Sequence, residues 1–328
     1  MNRVAKRAAV ALAAVASLAA AAGPLPEGNT GIAAKYANDV GIGSDPAVLF
    51  FDDFESYSGT SALGTRWNEV YHTENVRIAT EAGNFYAGSK ALEFKVDQTG
   101  SEVSNTAVKY LSPTRDLLFL RYYAKFDSAF NVMGSSHNGS TISAKYCCPG
   151  VKADGYNKFF VSLEAGRETS GTANPGKMNI YIYYPDQRDI WGDHFYATGT
   201  VTPFSSTPYN WGPEFVSRPD VTPQLGRWYS YEVMVKANTP GQKDGRIAFW
   251  IDGKLAADFQ NIRVRETTDL KIDRFSVDLH VKSNTLGVAK KYYDNVVAAT
   301  SYIGPRVTSS TTQPPATTLQ PPTNLRTQ

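Results

Sequence analysis

The stretch Leu117-Leu-Phe-Leu-Arg-Tyr-Tyr-Ala-Lys-Phe126 alternates with a period of two. Leu118, Leu120, Tyr122 and Phe126 fall on one face of an extended strand, and Phe119, Arg121, Tyr123 and Lys125 on the other. The same alternation recurs down the chain. Met178 to Tyr183 sends Ile180 and Ile182 one way and Asn179, Tyr181 and Tyr183 the other. Arg246 to Leu255 reads as a hairpin, with Ile247, Phe249 and Ile251 inward before an Asp252-Gly253 turn. Phe275, Val277, Leu279 and Val281 alternate with Ser276, Asp278, His280 and Lys282, and a last strand runs from Tyr292 to Ala299. Between Ala47 and Pro305 no long segment sustains a helical period. About ten such strands, in a chain with 19 Tyr and 16 Phe, predict an all-β protein of two packed antiparallel sheets, a jelly roll.

Outside that region the composition changes. Met1 to Arg7 carries Arg3, Lys6 and Arg7, and an Ala/Val/Leu run follows that ends in small residues near Ala20 to Gly23. A basic head, a short apolar run and small residues at its end predict a secretory signal peptide over 1–22, too short to span a bilayer. Residues 23–46 form an N-terminal extension, 47–305 the jelly-roll domain, and 306–328 a Thr, Ser, Pro and Gln-rich tail too polar to order itself. The expectation is a secreted protein, extracellular or periplasmic, and a monomer with no membrane partner.

Removing the leader takes three cations from 33 and none of the 31 anions, so the mature chain is near −1. Bulk charge therefore offers no case for nucleic acid, and affinity for an acidic polymer must come from local residues. The two cysteines, Cys147 and Cys148, are adjacent and cannot tie distant strands together. We read them as structural, and the apolar core must hold the fold alone.

The second faces of two strands carry the functional signal. A solvated sheet face is rich in Thr, Ser, Lys and Glu, whereas here it presents Arg121, Tyr123 and Lys125 on one strand and Asn179, Tyr181 and Tyr183 on another. Rings stack on sugar faces, while cations and amides reach hydroxyls and carboxylates, so these residues predict a carbohydrate-binding groove. Burial of the same tyrosines under long loops is the alternative.

Several segments resemble polysaccharide lyase family 14, the alginate and glucuronan lyase type, with its concanavalin A-like sandwich. They are Tyr181-Ile-Tyr-Tyr-Pro-Asp-Gln187, Trp191-Gly-Asp193, Gly226-Arg-Trp228, Val235-Lys-Ala-Asn-Thr-Pro-Gly-Gln-Lys-Asp-Gly245, Phe249-Trp-Ile-Asp-Gly253 and Tyr293-Asp-Asn-Val296. The resemblance implies β-elimination on a uronate-containing polysaccharide, with Tyr181 and Tyr183 as the proton-transfer pair. Residues i and i+2 share a strand face about 7 Å apart, so both hydroxyls could approach one linkage. The family's loop Lys has no counterpart in Gly134-Ser-Ser-His-Asn-Gly139. His137 stands near that position with Asn138 beside it, which assigns His137 to the catalytic set and Asn138 to substrate binding. Arg121 would hold the acidic sugar. His280 and Lys282 complete the binding set if their strand lines the same groove.

Two other functions compete. A non-catalytic carbohydrate-binding module would use the same groove without proton transfer. A glycosidase would need two flanking carboxylates, for which Glu164 and Glu168 are the nearest candidates. No Walker, Rossmann, zinc or nucleophile-elbow pattern occurs. No cofactor is required and no catalytic metal is expected, although Asp52, Asp53, Glu55 and Asp294 could converge on a structural Ca²⁺.

Overall fold

A computed structural model describes residues 23–134, 136–202 and 209–308. In chain order the strands are β1 (Val48–Asp52), β2 (Glu69–Tyr71), β3 (Val76–Ala79), β4 (Ala91–Val96), β5 (Val103–Arg115), β6 (Leu117–Phe126), β7 (Ser136–His137), β8 (Ser140–Ala144) and β9 (Phe159–Gly166). They continue as β10 (Lys177–Tyr183), β11 (Asp193–Tyr196), β12 (Val201–Thr202), β13 (Tyr229–Lys236), β14 (Gly245–Ile251), β15 (Lys254–Ile262), β16 (Ile272–Val281) and β17 (Ala289–Ala299). Two of them, β7 and β12, are two residues long and carry no periodic signal, so the pattern of longer strands undercounts them. The only helices among the described residues are short 3₁₀ turns.

The strands form two antiparallel sheets. The first runs β15-β14-β13-β6-β17-β4-β3 with β1 beside β17, and the second β12-β11-β10-β9-β8-β16-β5-β2 with β7 beside β16. The alternation of β6 places Leu118, Leu120, Tyr122 and Phe126 in the core between them, opposite Leu163, Ile180, Ile182, Phe275 and Val277 from the second sheet. The predicted hairpin is β14–β15. Asp252 and Gly253 both have positive φ, the turn geometry that keeps two strands twisted together and that suits these two residue types.

The outer face of the first sheet is covered by the chain's own N-terminal segment. Trp250 Nε1 donates to Pro26 O at 2.8 Å, Gly28 N to Gly253 O at 2.8 Å, and Ile32 N to Tyr302 O at 3.0 Å. Ile32, Ala33 and Ile42 pack there against Phe119, Met234, Trp250 and Val297 in a second apolar cluster. That cover lies over the face on which Arg121, Tyr123 and Lys125 were expected to bind sugar. Arg121 is fully buried, with Nη2 on Asp39 Oδ2 at 2.8 Å. Tyr123 stacks on Tyr86 at 3.7 Å and its hydroxyl accepts Arg306 N at 2.7 Å. Lys125 donates to Gly83 O and Asn84 Oδ1 and lies over the Tyr292 ring. These three residues share a face as read, but they belong to the opposite sheet from the open groove, and their role is to hold loops and the N-terminal segment.

No helix among the described residues is long and apolar enough to cross a membrane. The predicted leader and residues 309–328 of the tail lie outside the described residues.

Candidate active site in the groove of the second sheet

The outer face of the second sheet is open and forms a groove of about 700 Å³. Met178, Ile180 and Ile182 of β10 fill the core, so Asn179, Tyr181 and Tyr183 must face the groove. Phe160, Ser162 and Glu164 of β9 lie beside them, in register as Tyr183 with Phe160, Tyr181 with Ser162 and Asn179 with Glu164. On the other side Tyr181 pairs with His194 of β11. On β16 the same logic turns Arg274, Ser276, Asp278 and His280 outward, and the pairing of β7 with β16 sets His137 directly opposite His280.

Glu164 organises the centre. Its side chain is 1 % exposed, and its Oε2 lies 2.6 Å from His137 Nδ1 while Oε1 lies 3.4 Å from His194 Nδ1. An ionised carboxylate only accepts, so His137 Nδ1 carries a proton and Nε2 is left for another partner. His194 Nδ1 is also 2.9 Å from Asn179 Oδ1. Tyr181 sits between the two imidazoles, its ring centroid 4.7 Å from each, and His280 stacks on the far side of His137 at 5.0 Å. The Tyr181 hydroxyl accepts Gly192 N at 2.9 Å, which leaves its own proton to donate. Gly192 is required here, since a Cβ would stand 2.8 Å from Tyr181 Cζ. Tyr183 lies 5.5 Å from Tyr181, ring to ring. The buried ammonium of Lys158 lies 4.7 Å from the Tyr183 ring centroid and is held by the carbonyls of Cys147 and Cys148 at 2.8 and 2.7 Å. Both cysteines are free and exposed at the groove's edge.

These contacts separate the protonation states. Burial opposes charge on both Glu164 and His137, but each is the other's counter-ion, so Glu164 is held below the carboxylate range and His137 above the ordinary imidazole value. Burial, reinforced by the charge on His137, pushes His280 down to about 4. Burial, with a smaller contribution from the Tyr183 hydroxyl, drives Tyr181 far above the usual phenol, so it stays protonated. Asp278, accepting from Thr141 and Ser276 at 2.9 Å each, is raised by burial to about 6. Titration followed by NMR of the imidazole ring protons is expected to show His137 above 6.5 and His280 near 4. In Glu164→Gln the His137 value should fall, because burial is then opposed only by the smaller effects of Asp278 and Glu102. Equal values for the two rings in the parent protein would contradict the clamp.

Of the residues expected in the site, Tyr181, Tyr183, His137, His280 and Lys282 line this groove. Asn179 is buried and turned toward His194, so it orients an imidazole and does not reach for substrate. Asn138 is also buried; its Nδ2 donates to Ser136 Oγ and Ala165 O, and its Oδ1 accepts Ala165 N at 2.9 Å. It ties β7 to β9 and so holds His137 in place, in contrast to the expected substrate contact. Sequence reading passed over His194 and the clamp role of Glu164. The alternation Asp193-His194-Phe195-Tyr196 was the available signal for His194, but its strand is only four residues long.

The carboxylates considered for Ca²⁺ are engaged by protein donors. Asp52 accepts Phe54 N and Trp67 Nε1, Asp53 accepts Glu55 N, Glu55 accepts Ser89 N and Lys90 N, and Asp294 accepts Tyr86 N and Ala87 N. Among the described residues no three His, Cys, Asp or Glu side chains are grouped to hold a metal ion.

The architecture is that of the two-sheet jelly roll on which polysaccharide lyases are built. An alginate lyase solved with an alginate trisaccharide superposes with a TM-score of 0.57 at 18% identity, covering 77% of this chain and 98% of that one. An alginate lyase of a Chlorella virus gives 0.53 at 16% identity, covering 78% and 100%. An endo-β-1,4-glucuronan lyase from the fungus Trichoderma reesei gives 0.52 at 14% identity, covering 77% and 96%. No protein-family model matches the sequence, and no curated protein matches it significantly.

Proposed function

We propose that this chain is a secreted polysaccharide lyase that cleaves a uronate-containing polysaccharide by β-elimination, without a cofactor. The observation that carries this reading is one cluster in an open groove: two phenols on adjacent outward positions of β10 beside an imidazole clamped by a buried carboxylate. In the reaction the C5–H bond of a uronate and the C4–O4 bond break, a C4=C5 double bond forms, and a proton reaches O4. His137, protonated by its pairing with Glu164, donates from Nε2 to the uronate carboxylate and stabilises the charge that develops as C5 is deprotonated. Tyr183 acts in its phenolate form, beside the Lys158 ammonium, and becomes a neutral phenol on taking the C5 proton. Tyr181, kept protonated by burial, gives its proton to the departing O4.

A glycosidase fits less well. It needs one carboxyl poised as an acid across the bond from an ionised partner, whereas Glu164 is tied between two imidazoles. The test is incubation of the mature protein with a panel of polyuronates and glycosaminoglycans while following the ultraviolet absorbance of an unsaturated uronate. Absorbance is expected to rise with at least one polymer, and to rise more slowly as pH passes above the His137 value, because the neutral imidazole no longer offers the Nε2 proton. Retention of a polymer with no absorbance change on any would identify a binding module.

A further inference from the structure

Rest of the groove differs from its centre in charge. The charged side chains that line it among the described residues, apart from the histidines, are Glu69, Glu102, Glu168 and Asp278 against Arg274 and Lys282. Arg274 is already engaged: its Nε meets Asp273 Oδ1 at 2.8 Å and its guanidinium lies over the Tyr110 ring. Glu69 accepts the hydroxyls of Tyr71 and Tyr110 at 2.6 Å each, and the Tyr110 contact, then that of Tyr71, keeps it ionised. Glu102 stands 4.0 Å from His280, and Glu168 follows the end of β9. The two arginine and lysine positions that would have made the groove cationic, Arg121 and Lys125, serve the other sheet.

Large aromatics frame the same floor. Trp191, 52 % exposed, lies on the loop between β10 and β11, and Tyr71, 49 % exposed, lies on the edge strand β2. Between β10 and β2 the sheet advances five strand spacings, roughly 24 Å, which is room for several sugars. An unbroken polyuronate laid across it would set a negative charge on every sugar against Glu69, Glu102 or Glu168. Neutral sugars would instead offer hydroxyls to those carboxylates and ring faces to Tyr71 and Trp191.

Resting on the lyase reading above, we propose that the groove selects a polysaccharide in which single uronates are flanked by neutral sugars, with His137 and Lys282 serving the one acidic residue at the centre. Glu69, Glu102 and Glu168 set this specificity by repelling a contiguous polyuronate.

The test compares kcat/KM on a homopolyuronate with that on a polymer whose uronates alternate with neutral hexoses, at low and high salt. The mixed polymer should be preferred about tenfold at low salt, with the preference shrinking as salt screens the flanking carboxylates. The double variant Glu102→Gln with Glu168→Gln should raise kcat/KM on the homopolymer severalfold and so narrow the preference for the mixed polymer. Preference for the homopolymer, or no gain in the double variant, overturns the specificity while leaving the lyase reading intact. Cleavage of neither polymer removes both.

Discussion

Replacing Tyr183 by Phe is expected to lower kcat by about 10²-fold or more while polymer affinity changes little. The substitution removes only the hydroxyl. The ring keeps its contacts with Phe160 at 6.1 Å, Tyr146 at 6.2 Å and Lys158 above it, so the strand and the groove wall stay in place. Tyr181→Phe should cost a similar factor, since it deletes the proposed acid and also leaves Gly192 N without its acceptor. Because the two hydroxyls act on one elimination, the double variant should be little worse than either single one. Turnover measured alongside polymer binding checks this, and full activity in both single variants would end the proton-transfer assignment.

The second large effect lies on the opposite face. Asp39→Asn should destabilise the fold by about 3–5 kcal/mol, lowering the melting temperature by roughly 10 °C. Asn can keep the left-handed backbone of Asp39, at φ 59°, so the loss is one of charge. Arg121 is fully buried, its Nε and Nη1 have no partner, and Asp39 supplies its one ion pair. The other carboxylate acting on it, Glu232, has both oxygens occupied by Ile303 N and Gly304 N at 2.8 Å and is pushed up to about 7 by burial. Adding Arg121→Met should recover most of the loss, because the orphaned cation is then gone. Thermal unfolding of the single and double variants checks this. A double variant as unstable as Asp39→Asn would mean the ion pair is not the source. At temperatures where all are folded, turnover should be unchanged, since Arg121 is across the sandwich from the groove.

How much of this was readable beforehand follows from what alternation encodes. A period of two in Leu117–Phe126 or Met178–Tyr183 states which side chains share a face, and both stretches divide as read. It does not state which sheet a strand joins or what covers its second face. Arg121, Tyr123 and Lys125 were therefore assigned to sugar on residue type alone, whereas Asp39 holds Arg121, Tyr86 and the Arg306 backbone hold Tyr123, and Gly83 and Asn84 hold Lys125. Tyr181 and Tyr183 were legible because their relation is local to one strand. The clamp was not, since His137, Glu164 and His194 come from β7, β9 and β11 and meet only through registers that no short window contains. His280 falls between these cases: its strand was clear, and its stacking on His137 required the pairing of β7 with β16.

That pairing has a temporal consequence. Half of the groove floor is a meander, β8 to β11, whose neighbours in the sheet are neighbours in the chain, while the other half joins β16 to β5 and β7 across most of the domain's length. Contacts between such distant segments form late, because the intervening chain must first be closed into a loop. On dilution from denaturant the tyrosines of β10 can find their strand partners early, yet His137 has no His280 beside it until β16 has docked. Recovered turnover would therefore report the last long-range closure of the sandwich, and would lag behind any spectroscopic signal that sees only the meander.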